Sequence, residues 1–494
     1  MGLRYLYANM GPLQNNTKLI EFNINTRVMD IAESLLQLNS KIIGIGVYIW
    51  NATETLQLVK LLKTISPETI IILGGPEVSY EYENQELVSC VDYVITGQAD
   101  IAFKELCEDL INHKKPFNKI IHSLPIELSK INLPYEYYTD EDIANRVIYV
   151  EASRGCPFKC EFCLSSLDKT VYPIELDLFL AEMEKLYQRG VRHFKFVDRT
   201  FNLKAETSIK IMEFFLDKMN LNNTNNPNSQ NLFLHFELIP DHLPESLKTS
   251  IAKFPEGSLQ FEIGIQSLNP DVQTIISRKQ NTEKVTNNLS WIRNHSHAHI
   301  HADLIIGLPG ETIDSFAAGL NQLYAMNPHE IQVGILKRLK GTPIIRHTDE
   351  YDMRYNPLPP FNIVSNKLIS FENMQRMSRF ARYWDLIINS GRFKNTKQLL
   401  LSDNAFYNFL NLSDWIFKTA GQTHKISLER LYALLYRGMI ETLKLDNQTV
   451  TDELLRDYEI SGIKGNPKFL RQSKPINEAK LPNASQRQIR HSQL

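Results

Sequence analysis

Three cysteines within eight residues carry the most specific chemistry in the chain. They lie in the segment EASRGCPFKCEFC (151–163), as Cys156, Cys160 and Cys163, with CxxxCxxC spacing. Thiolates are soft ligands suited to iron, and one short loop can wrap one face of an iron–sulfur cluster. Three ligands to a four-iron cluster leave one iron free to bind a further molecule. Gly155 permits close backbone approach and Pro157 stiffens the loop. The competing readings are three inert buried thiols or a zinc site. Zinc needs a fourth ligand, and His193 is the distant candidate.

The whole chain has five cysteines, and the other two are Cys90 and Cys107. So sparse and odd a set does not make a secreted disulfide framework. The 494 residues include 54 basic and 56 acidic side chains, for a net charge of -2, which gives no electrostatic footprint for nucleic acid. No run approaches 18 apolar residues and no signal peptide is recognised, so a cytoplasmic protein without a membrane partner is expected. A basic, polar tail at 463–494 reads as disordered, and contact with RNA stays open.

Elements able to position the cysteines follow from periodicity. Residues 1–115 alternate short apolar runs with helical periods. Strands are predicted at 18–24, 41–50, 69–76 and 92–97, and helices at 27–38, 53–65 and 101–112. That pattern implies a parallel sheet covered on both faces. Residues 116–145, with three prolines, read as a linker, and Tyr135, Tyr137 and Tyr138 offer aromatic surface for packing between domains. Residues 146–348 give six strand–helix units, with strands at 146–156, 193–198, 232–238, 259–265, 300–308 and 330–337. Six units suggest a partial (β/α)₆ barrel with its chemistry at the carboxyl ends of the strands. The Asn-rich stretch 220–231 reads as a loop, and 349–462 as a helical accessory domain.

The cysteine segment resembles the signature of the radical S-adenosylmethionine (SAM) superfamily, Cys-x3-Cys-x-aromatic-Cys, with Phe162 as the aromatic. The resemblance covers about 146–345. It implies a [4Fe–4S] cluster on Cys156, Cys160 and Cys163 and SAM chelated to the open iron. Reductive cleavage would then give a 5′-deoxyadenosyl radical, with an external reductant of flavodoxin or ferredoxin type. It also places Asp198, Arg199 and Asn202 near the barrel mouth. In a strand of period two, Glu262, Gly264 and Gln266 share a face. A carboxylate there needs a partner, either a cofactor ribose or a salt bridge with Arg278 or Arg199. Glu237 ends the neighbouring strand. Gly307 and Gly310, in DLIIGLPGET, match the family's turn and are expected to let backbone approach the cofactor. His299 and His301 complete no second pattern.

The amino-terminal segments GVYIWN, ILGGPEVS and ITGQAD resemble the cobalamin-binding domain that precedes many radical SAM enzymes. The resemblance implies a corrinoid site at Gly44, Tyr48, Trp50, Gly74, Gly75 and Gly97, with Gln98 and Asp100 at usually acidic positions. The sequence lacks the Asp-x-His-x-x-Gly motif, so no histidine beneath the cobalt is assigned. LRYL (3–6) resembles the middle of that domain's first helix, so its first strand is expected to be missing. The whole resembles an uncharacterised cobalamin-domain subgroup with its own helical carboxyl-terminal domain. LKRLKGTPI (336–344) is expected to close the barrel.

Cobalamin-dependent methyl transfer to an unactivated carbon is the leading expectation. A rearrangement or cyclisation with the cobalamin-type domain as scaffold is an alternative, as is a tRNA methylthiotransferase-like enzyme. A non-catalytic cluster- and corrinoid-binding protein is a fourth reading. Methylthiotransfer resembles systems that need three further cysteines, which are not available. The substrate is not legible.

Overall fold

The computed structural model describes residues 1–225, 232–402 and 404–461, together with Pro467. It divides into two compact units, Met1–Ala381 and Arg382–Leu494.

Within the first unit lies a four-stranded parallel sheet, β1 (Ile42–Gly46), β2 (Ile70–Gly74), β3 (Tyr93–Thr96) and β4 (Ile120–His122), in that spatial order. The strands are short apolar runs because both faces are covered: Ile71, Ile72, Leu73 and Val94 are essentially inaccessible. Helices Val28–Leu36, Ala52–Ile65 and Ala102–Ile111 supply that cover. Residues 3–6 fall within the helix Gly2–Ala8, as the reading of LRYL anticipates.

Two expectations fail here. Residues 18–24 form no strand. Their alternation has no ladder partner, and Glu21 is tethered instead to Arg4 at 2.8 Å and Arg146 at 2.5 Å. The expected linker also begins too early. It contains β4, whose three residues are too few to give a periodic signal. The tyrosines do join elements: the Tyr135 hydroxyl donates to Glu151 O at 3.1 Å, and that of Tyr138 to Tyr149 O at 2.9 Å.

The second sheet of this unit has six parallel strands in sequential order. They are β5 (Ile148–Val150), β6 (His193–Phe196), β7 (Phe233–Leu238), β8 (Leu259–Gln266), β9 (His299–Ile306) and β10 (Glu330–Ile335). This is the expected partial barrel. In β8, Leu259, Phe261, Ile263 and Ile265 are buried against the helices, and Gln260, Glu262, Gly264 and Gln266 take the other face. β9 alternates likewise, with His299, His301 and Asp303 on the less buried face. Period two thus gives this sheet one apolar and one polar face. The helix after β6 runs Ala205–Asn225, six residues into the stretch read as a loop. Residues 226–231 lie outside the described residues.

Residues 354–365 form a small antiparallel hairpin that packs on β10, with Ile363 N donating to Leu336 O at 2.8 Å. The boundary between compact units therefore falls beyond 349, inside the helix Phe371–Ile387.

The second unit, taken by itself, is helical: Lys394–Leu400, Ala405–Ala420, Leu428–Glu441 and Asn447–Ile460. Asp457 stitches two of these helices, accepting from Asn395 N at 3.0 Å and Thr396 Oγ1 at 2.6 Å. The tail read as disordered from 463 onward lies outside the described residues apart from Pro467. Among the described residues, no helix is long and apolar enough to cross a membrane.

Candidate functional site

The cysteine loop leaves the carboxyl end of β5. Asp198, after β6, is 2% exposed. It accepts from Ala152 N at 2.9 Å and Ser153 Oγ at 2.6 Å, so it fixes the root of the loop. Burial pushes its carboxyl up to about 7. Gly155 has φ 93°, and a Cβ there would lie 1.9 Å from Thr170 O, so only glycine fits. The loop then turns back on itself. Cys163 N donates to Cys160 O at 3.1 Å, and Ser166 Oγ donates to the carbonyls of Cys160 and Cys163. All three cysteines reach one cavity of about 270 Å³ at the carboxyl ends of β6 to β9.

Phe162, Arg199, Glu237, Glu262, Gln266, Arg278 and Asp303 line the same cavity. Arg199 Nη1 donates to Glu237 Oε1 at 2.7 Å. Glu262 Oε2 lies 3.0 Å from His235 Nε2 and 3.4 Å from Lys195 Nζ. The bond to His235 is the main reason the Glu262 carboxyl is drawn down to about 2. Asp303 Oδ1 makes no hydrogen bond among the described residues, though His301 Nε2 lies 3.4 Å away. Burial, with Glu262 and Glu237 adding their charge, pushes it up to about 8. The cavity therefore holds a fixed carboxylate beside a protonated acid at neutral pH, an arrangement that presents both an acceptor and a donor.

The opposite shifts have opposite signs in stability. The folded chain keeps a proton on Asp303 that an ordinary aspartate gives up near 3.8, so this group's contribution falls as pH rises from there to about 8. The Glu262 contribution is present above 4.5 and is lost as pH falls towards 2. Asp303→Asn stays neutral throughout. Its unfolding temperature should gain on that of the wild type between pH 6 and pH 9, read by calorimetry. An unchanged difference contradicts the assignment.

The edge of the first sheet has its own geometry. Gly75 follows β2 with φ 103°, and a Cβ there would lie 2.5 Å from Val47 O. Gly97 follows β3 with φ 77°, and its Cβ would meet Ser123 Oγ at 2.8 Å. Tyr48 and Trp50 stack at 4.6 Å with 8° between planes, and Trp50 is 63% exposed. The Gln98 Oε1 is buried with no hydrogen-bond partner among the described residues. Gly44 does not belong to this edge. It lies inside β1, where a Cβ would run into the Phe103 ring at 2.7 Å, so it makes room for a helix.

The two carboxyl edges face each other. Arg154, in the cysteine loop, is bidentate to Asp100 after β3, at 3.0 and 3.1 Å. Lys340 Nζ, after β10, lies 2.6 Å from Glu77 Oε1 after β2. Arg338 Nη2 donates to Glu81 Oε2 at 2.6 Å. Each pair joins a segment just beyond a strand's carboxyl end in one sheet to its counterpart in the other.

Comparison with known proteins agrees with this layout. The radical SAM superfamily matches residues 150–323, and the B12 binding domain matches residues 1–107. The chain is a radical SAM protein with a B12-binding domain. Residues 349–494 match a protein family of unknown function, DUF4080. An uncharacterized methyltransferase, PH0819, of Pyrococcus horikoshii is 27% identical over 237 residues, 43% of this chain and 51% of that protein. The cobalamin-dependent radical SAM methyltransferase TokK of Streptomyces tokunonensis is 22% identical over 371 residues, 67% of this chain and 52% of that protein. The chain spans about half the length of these curated relatives. Among solved structures, the cobalamin-dependent SAM radical enzyme OxsB superposes with TM-score 0.63 at 12% identity, covering 94% of this chain and 78% of that one. A likeness at that identity is one of fold.

In this radical SAM protein the cavity gathers the three cysteines, Phe162, Glu237, Glu262 and Gln266. Four other candidates lie outside its lining. Asp198 holds the loop root as described. Asn202 is fully buried and pins residues 239–242, with its Oδ1 accepting from Ile239 N at 2.7 Å. Gly307 and Gly310 serve packing, since Cβ atoms there would meet Ile363 and Ile275 side chains at 2.6 Å. Sequence reasoning passed over Lys195, His235 and Asp303. Each sits on the polar, period-two face of a barrel strand, which was the signal available.

Proposed function

We propose that this protein is a cobalamin-dependent radical SAM enzyme that methylates an unactivated carbon. The observation that carries the reading is the facing of the two carboxyl edges, tied by Arg154–Asp100 and Lys340–Glu77. A reaction that uses both cofactors on one substrate needs that juxtaposition, because misplacement by about an ångström is costly.

The residues present fit both groups. Three thiols converge on one cavity, with Phe162 beside them. The first sheet's edge combines an exposed Trp50 ring, stacked on Tyr48, with a Gln98 Oε1 that has no partner among the described residues and that the corrin's amide side chains would satisfy. When bound, a [4Fe–4S] cluster supplies an electron to cleave SAM and cobalamin supplies the methyl group. Glu237, Glu262, Gln266 and Asp303 orient SAM through its amino and hydroxyl groups, and Arg199 and Arg278 neutralise the carboxylates and thiolates around it. An external one-electron reductant of flavodoxin or ferredoxin type completes the system.

The curated relatives also include ribosomal-protein and tRNA methylthiotransferases. That alternative is disfavoured because Cys107 packs in the core with its thiol pushed up to about 12 by burial, which leaves Cys90 alone outside the triad.

Titration of cluster-loaded protein with hydroxocobalamin tests the reading. A saturable absorbance shift is expected, weakened several-fold in Trp50→Ala through loss of ring contact. No shift in the wild type sinks it.

A further inference from the structure

Glu161 stands between two cluster cysteines, yet it faces away from the cavity and is 2% exposed. Every polar group it has is engaged. Its Oε1 accepts from Ser277 Oγ at 2.5 Å and from Arg346 Nη2, and its Oε2 lies 2.7 Å from His347 Nε2. Its backbone N donates to Ile276 O at 3.1 Å, and its carbonyl accepts from Ile344 N at 3.0 Å. Two segments therefore clamp the loop. One is 276–278, whose Arg278 Nη1 also donates to Cys160 Sγ at 3.4 Å. The other is 344–347, which continues from β10.

The second segment has another attachment. A few residues earlier, Arg338 and Gly341 N bind Glu81, and Lys340 pairs with the buried Glu77. Gly341 has φ 81°, and a Cβ there would strike the Tyr80 ring at 2.4 Å, so the amino-terminal domain lies directly on this stretch. Residues 338–347 thus form one strap. One half grips the loop after β2, and the other half grips Glu161.

We propose that Glu161 is the positioning residue of the cysteine loop, and that the strap makes its hold depend on docking of the amino-terminal domain. The proposal rests on the functional reading above, because the loop is taken to carry the cluster. Partners that orient metal ligands from the second layer typically change metal affinity by roughly 10- to 100-fold when removed.

The test uses full-length protein reconstituted anaerobically with iron and sulfide. Iron release to a ferrous chelator and the electron paramagnetic resonance (EPR) spectrum of the reduced cluster, with and without SAM, are compared in wild type, Glu161→Gln and the distal pair Arg338→Ala/Lys340→Ala. Glu161→Gln should release iron about tenfold faster or more, with an altered SAM-induced EPR change. The distal pair, which touches no cysteine, should shift release in the same direction. Release at the wild-type rate in Glu161→Gln overturns the positioning role, and in the distal pair it overturns the dependence on docking. Should Glu161→Gln fail to fold, Arg346→Ala, whose side chain is 59% exposed, takes its place with the same two outcomes. A wild type that retains no four-iron cluster refutes the functional reading itself, which separates the two failures.

Discussion

Cys160→Ala is expected to lose the cluster's visible absorption and to form no detectable 5′-deoxyadenosine from SAM. A three-thiolate site has no spare ligand, and the binding energy of such a site comes from all its ligands acting together. The loop should keep its path, because Ser166 and Glu161 hold it through backbone and side-chain bonds that the substitution leaves in place. Circular dichroism should therefore match the wild type. Cys90→Ala is the matched control and should form the nucleoside at the wild-type rate. Nucleoside formation retained in Cys160→Ala refutes the ligand assignment, and its loss in Cys90→Ala points to a second cysteine-dependent centre.

Arg154→Met should be the most destabilising single change at the junction of the two sheets. The guanidinium serves Asp100 in bidentate fashion, reaches Glu151 Oε1 at 2.8 Å and lies 4.5 Å from the centre of the Tyr5 ring. Asp100 and Glu151 are both buried, at 6% and 5% exposed. Removing the cation leaves two carboxylates without their charge partner, a loss of about 3–5 kcal/mol. The unfolding temperature should fall by several degrees. Arg154→Lys keeps the charge but cannot offer the planar fork, so it should fall between the two. Calorimetry decides. A midpoint within a degree of the wild type would falsify the claim that this pair carries the docking.

Much of this was legible in the amino-acid sequence, and the reasons are physical. Four of the barrel strands, β5, β6, β8 and β9, announce themselves because they alternate against a helix-covered core, whereas burial in β7 and β10 does not alternate along the whole strand. The segment LQFEIGIQ shows that pattern without interruption, with Glu262 on its polar face. The cysteine triad is legible because its spacing is dense and short-range. What stayed hidden depends on distance in the chain. Glu161 reads as an ordinary charged residue until Ser277 and His347, more than 110 residues away, close around it. Gly307 and Gly310 carry the sequence mark of a cofactor turn, yet neighbouring side chains occupy the space their missing Cβ atoms leave. Asp198 and Asn202 stand one step behind the cavity, and no local pattern separates a residue that touches a ligand from one that supports the loop touching it. The strand expected at 18–24 shows the converse. Alternation is necessary for a half-buried strand, but a ladder partner is what makes it one.

The proposed methyl transfer requires the two cofactors to meet across the facing sheet edges. EPR of protein loaded with both a four-iron cluster and cob(II)alamin tests this directly. Reducing the cluster should broaden or split the cob(II)alamin signal, because two paramagnets held across one cavity couple magnetically. A cob(II)alamin signal that is the same with the cluster oxidised and reduced, in protein shown to hold both groups, contradicts it.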